Sequence, residues 1–172
     1  MKTIPTLLLL VLISAPLAAQ KDLTPTTSFV IQGEVQSAVT ITAADLVSMN
    51  IKDIGDVVIT NHLGERKSEA KALKGVLLKD VLKKVQMNAE SPKILSEYYF
   101  VCKANDGYTV VYSWNEIFNA ATGDHAFIVT EKNGKRINEM SDAILMICPT
   151  DIATGRRHVK SLASIDVRRA GK

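Results

Sequence analysis

Thr154-Gly155-Arg156-Arg157-His158-Val159-Lys160-Ser161-Leu162 is the stretch on which the reading of this chain turns. Four cationic or imidazole side chains follow a glycine, and an alternating run over residues 163–169 comes directly after. Backbone N–H groups near a glycine, with fixed cations around them, hold an oxyanion well. The same residue types also describe a solvated basic turn ahead of a final strand. In either case the alternation over residues 162–167 predicts that strand.

Upstream, the pattern is one of many short strands and few helices. Residues 28–35 alternate and predict a strand, with residues 38–41 as its hairpin partner. Thr42, with Asp45 three residues on, predicts a capping box opening a helix that runs through Met49. Residues 57–60 are β-branched and lead into Asn61-His62-Leu63-Gly64. Leu73, Val76, Leu77, Val81, Leu82 and Val85 recur at helical spacing, with lysines between them, and predict a helix over residues 73–85. Residues 98–104 and 109–112 flank Asn105-Asp106-Gly107, a strong hairpin signal. Ser113 with Glu116 predicts a second capping box, over a helix through Asn119. Residues 126–130 and 144–147 predict two more strands, with an Asn133-Gly134 turn between them. Such a series predicts an α+β fold on a mixed sheet.

In that order, these segments resemble the oxidoreductase molybdopterin-binding domain, the catalytic fold of sulfite oxidases. The basic stretch 154–162 is similar to its C-terminal pterin-contacting segment. Phe29-Val30-Ile31-Gln32-Gly33-Glu34-Val35 is similar to its opening strand. Thr40-Ile41-Thr42-Ala43-Ala44-Asp45-Leu46 matches its first strand-to-helix junction, and Lys74-Gly75-Val76-Leu77-Leu78-Lys79-Asp80-Val81-Leu82 its second helix. Asp106-Gly107-Tyr108 also occurs in its small bacterial members. The resemblance covers roughly residues 28–168 and implies a sulfite-oxidase-like mixed sheet with a few short helices. It implies a cofactor-binding set of His62, Arg66, Asp106, Arg157, His158, Val159 and Lys160, with molybdopterin as the ligand to test.

The resemblance departs from the family at the metal. Asn61-His62-Leu63-Gly64-Glu65-Arg66-Lys67-Ser68-Glu69 resembles the family's metal loop, but His62 stands where a cysteine thiolate binds molybdenum. A neutral imidazole is a poor substitute for a soft thiolate. Two further family positions, a His and an Arg, fall near Met140 and Leu145, and the family's segment ahead of the first strand is missing. No metal site and no molybdenum are therefore expected, and catalytic residues are not assignable. If the chain is an enzyme, it is a molybdopterin-dependent oxidoreductase.

Composition narrows the remaining classes. The 172 residues suffice for one domain with a full core. Lys2, the apolar run over residues 7–13, Pro16 and Ala18-Ala19 predict a secretory signal over residues 1–20, cleaved near Gln20. Residues 21–27 read as a linker and residues 28–172 as the domain. The location expected is periplasmic or secreted, with no membrane attachment after cleavage. The chain carries 21 basic against 18 acidic residues, and the signal takes away only Lys2, which is no nucleic-acid footprint. Aromatics are only 5% of the chain, which disfavours a carbohydrate groove. Cys102 and Cys148 lie in strand-like runs and read either as a disulfide or as two buried thiols.

Three functional readings stand open. One is an exported, catalytically degenerate relative that binds a small anionic, pterin-phosphate-like ligand or a partner protein. Another is an active molybdopterin oxidoreductase with unusual metal ligation. The third is a ligand-free structural or interaction domain. If the family's cleft carries over, His62, Arg66, Arg157, His158 and Lys160 should converge in one anion-binding pocket, with Asp106 at its rim.

Overall fold

Asn105-Asp106-Gly107 turns the chain as its residue types require. In the computed structural model, which describes residues 23–171, it joins strands β5 (Tyr98–Ala104) and β6 (Thr109–Ser113). Gly107 takes a φ of +96°, and the Asp106 carboxylate accepts the Tyr108 N–H at 2.8 Å. Further upstream, β1 (Ser28–Gly33) and β2 (Val39–Thr42) form the predicted hairpin. The last strand, β10 (Leu162–Arg169), lies between the two hairpins, parallel to β1 and antiparallel to β5. The resulting sheet has the order β2-β1-β10-β5-β6. Both capping boxes form as expected. Thr42 opens α1 (Ala43–Val47) and Ser113 opens α3 (Trp114–Phe118), each with its acidic partner three residues on.

The second sheet contains the main departure from expectation. β3 (Lys52–Thr60) pairs with β4 (Arg66–Leu77), and β4 pairs with β7 (Phe127–Lys132). β8 (Lys135–Arg136) and β9 (Leu145–Ile147) complete it, both on β7. The helix predicted over residues 73–85 is thus only α2 (Leu78–Leu82), and Leu73, Val76 and Leu77 belong to a strand. Their spacing is helical, yet in the strand the adjacent Val76 and Leu77 point to opposite faces and both are buried. Pairing on both sides of β4 decides for the strand. Gly75 shows how close that pairing is, because a Cβ there would lie 2.5 Å from the Ile128 carbonyl oxygen.

The inner faces of the two sheets and the short helices enclose one core. Phe29, Leu46, Leu73, Leu78, Phe100, Ile128 and Ile165 are all buried in it. Thr26, inside the expected linker, is fixed to this core. Its hydroxyl accepts the Ile144 N–H at 2.9 Å and donates to the Leu162 carbonyl at 2.9 Å. The expected signal lies outside the described residues. Among the described residues, no helix is long and apolar enough to cross a membrane.

Candidate functional site

The basic stretch begins as a 3-10 turn, Thr154–Arg157, clamped to the end of β3. The buried Thr154 hydroxyl donates to the Val58 carbonyl at 2.7 Å and accepts the Thr60 N–H at 3.0 Å. Gly155 is required by proximity: a Cβ there would sit 2.0 Å from the Thr60 carbonyl oxygen. This clamp brings the basic stretch beside the β3–β4 hairpin. Beyond it, neighbouring side chains part.

Arg157 turns to one side. Its guanidinium pairs with Asp151, with Nε donating at 2.8 Å, and with Glu116 at 3.0 Å. It also lies over the Tyr112 ring, 4.4 Å from the centroid. These partners raise its pKa further, with the Asp151 hydrogen bonds the largest cause. A guanidinium so paired is internally compensated and holds the 148–157 loop against β6 and α3.

His158 turns the other way, into a cavity of about 200 Å³ that it shares with Ile59, Ser68, Glu69, Lys132, Asp142 and Lys160. Its Nε2 is buried and has no hydrogen-bond partner. Burial, and then the neighbouring Lys160 charge, push its pKa down to about 4, so the ring is neutral at pH 7. Lys132 and Asp142 form a nearly buried ion pair in the same cavity, whereas Lys160 is exposed. No hydrogen bond joins the imidazole to Ser68, Asp142 or Glu69, so the cavity holds no nucleophile–base relay.

The five residues expected to converge therefore do not line one pocket. His158 and Lys160 share the cavity, and Arg157 lies outside it because Asp151 and Glu116 hold it elsewhere. Arg66 reaches only the rim, through an ion pair with Glu69 at 3.1 Å. His62 is exposed on a tight hairpin turn. Asn61 builds that turn, accepting the N–H groups of Leu63 at 2.9 Å and Glu65 at 3.0 Å. Asp106 is occupied by its own turn. Val159 is fully buried and exchanges backbone hydrogen bonds with Met146, so its side chain belongs to the core.

Lys132 and Asp142 were not legible as site residues. Ten positions apart and in no motif, they meet only because β9 folds back on β7.

The donor set does not fit a thiolate-bound molybdenum. Cys102 and Cys148 are free and buried. Burial pushes the Cys102 thiol up to about 12, far from a thiolate at neutral pH. Among the described residues, no three His, Cys, Asp or Glu side chains come together as metal ligands.

The fold is similar to that in the crystal structure of the sulfane dehydrogenase SoxCD from Paracoccus pantotrophus. The TM-score is 0.61 at 12% sequence identity, over 84% of this chain and 39% of that one. This chain thus spans well under half the length of the matched chain. At such identity the likeness establishes the fold, a sulfite-oxidase-like α+β arrangement with few short helices. No protein-family model matches the chain, and no curated protein matches it in sequence.

Proposed function

We propose that this protein is an exported, non-redox relative of the sulfite-oxidase-type fold that binds a small anionic ligand in the His158 cavity. The observation that carries the reading is the buried, unpartnered Nε2 of His158, with the exposed Lys160 ammonium lining the same cavity. A buried polar atom without a partner costs about 1–3 kcal/mol, and a ligand oxygen accepting from Nε2–H removes that cost. Lys160 supplies the charge and Ser68 a hydroxyl. Lys132 is already neutralised by Asp142 and shapes the cavity more than it charges it. A phosphate-bearing group, of the kind carried by a reduced pterin, has the required chemistry.

Elemental analysis and cofactor extraction on protein exported in its native host should find no stoichiometric molybdenum. Molybdenum retained through gel filtration would reverse the non-redox reading. Phosphate or a pterin phosphate should raise the melting temperature of the purified protein. Lys160→Ala combined with His158→Ala should abolish that rise, while His62→Ala should leave it unchanged. A rise that survives the double substitution would place the anion elsewhere. Export itself is checked by the mature N-terminus, expected near Gln20 to Asp22.

A further inference from the structure

β6 is an edge strand of the first sheet, and its sequence, Thr109-Val110-Val111-Tyr112-Ser113, has no charge, proline or bulge. Exposed edges are usually blunted by such devices because unpaired N–H and C=O groups invite another strand. The second sheet uses them at both of its edges. β8 is two residues long, both cationic. β3 carries Lys52, Asp53 and Asp56 and is broken by three register shifts.

The hydrogen-bond register shows which β6 groups are free. Ala104 N–H donates to the Tyr108 carbonyl, so Tyr108, Val110 and Tyr112 face β5. Thr109, Val111 and Ser113 turn their backbone groups outward. Ser113 N–H is taken by the Glu116 carboxylate in the capping box. Thr109 and Val111 are left, each with an outward N–H and C=O that have no partner among the described residues. β2, at the opposite edge, offers less. There Thr42 N–H is taken by Asp45, which leaves Thr40 as the only unspent outward residue.

We infer that β6 pairs with β6 of a second copy of this chain. An antiparallel pair with its two-fold axis at Val110 sets Thr109 opposite Val111 of the partner, and Val111 opposite Thr109 of the partner. That register closes four backbone hydrogen bonds and uses every free outward group once. The strand is uncharged, so pairing it with itself opposes no like charges. Val111, 52% exposed, and Thr109 meet their counterparts on the outer sheet face. The association joins two five-stranded sheets into one of ten strands. The interface is self-complementary, as a two-fold dimer requires, and small enough to be reversible.

The test uses the full mature protein at neutral pH. Light scattering coupled to gel filtration should show the mass rising from one chain towards two as concentration rises. Val111→Lys, at an exposed position, should hold the mass at one chain without changing the melting temperature of dilute protein. If that variant folds poorly, Thr109→Pro, which removes one outward N–H, serves instead. Amide exchange gives a readout specific to the register. Thr109 and Val111 should exchange freely in dilute protein and become at least tenfold slower in concentrated protein. A single-chain mass at millimolar concentration would overturn the inference. So would a dimer unaffected by Val111→Lys. Protection of Thr109 and Val111 that does not depend on concentration would also overturn it, because contacts within one chain would then cover the edge.

Discussion

Arg157 and His158 are adjacent in sequence and opposite in role. The guanidinium is compensated by Asp151 and Glu116, while the imidazole Nε2 is buried without a partner. Arg157→Ala should therefore destabilise the protein by about 3 kcal/mol, because it leaves Asp151, only 13% exposed, as an uncompensated charge. Arg157→Lys should recover only part of this, since an ammonium cannot span both carboxylates and the Tyr112 ring. Chemical denaturation checks both; a loss below about 0.5 kcal/mol for the alanine variant would make the cluster a surface feature. His158 is tested through pH. The folded chain holds its pKa near 4, below the ordinary 6.5. Between these values the unfolded chain binds a proton that the folded chain refuses. The contribution of His158 is thus complete above pH 6.5 and is lost as pH falls towards 4. Urea midpoints measured over that range should fall for the natural protein and fall less for His158→Gln. Equal slopes would remove His158 from the account.

Among elements, those decided locally were legible and those decided by a distant partner were not. Thr42 with Asp45, Ser113 with Glu116, and Asn105-Asp106-Gly107 form their caps and turn within a few residues, and all appear as read. β4 was missed because Leu73, Val76 and Leu77 follow helical spacing, and pairing with strands β3 and β7, from elsewhere in the chain, overrides it. The site was half legible for the same reason. Residue types marked Thr154 to Lys160 as special, but nothing local tells which side of the turn Arg157 or His158 will take. The clamp that sets this is itself testable. Gly155→Ala forces a Cβ against the Thr60 carbonyl oxygen and should cost about 1–3 kcal/mol, with weaker phosphate stabilisation. A fully stable Gly155→Ala protein would mean that the turn is not clamped to β3. In α2, Leu82 is 1% exposed, and Leu82→Ala should cost about 2–5 kcal/mol although the helix is little more than a turn.

Across the whole molecule, the two sheets are tied together at their beginning as well as through their core. The Thr26 hydroxyl joins the segment ahead of β1 to Ile144, beside β9, and to Leu162, the first residue of β10. Thr26→Ala leaves the Ile144 N–H, in a fully buried residue, without its acceptor and should cost about 1–3 kcal/mol. Thermal unfolding of that variant should remain a single transition at a lower temperature. Two separate transitions would mean that the sheets melt independently. The sheet order has a further consequence, for biosynthesis. β10 is the last strand among the described residues and the central strand of its sheet. Until a ribosome has released residues 162–169, the two earlier hairpins of that sheet have no common neighbour. Until then the nascent chain is kept from completing that sheet.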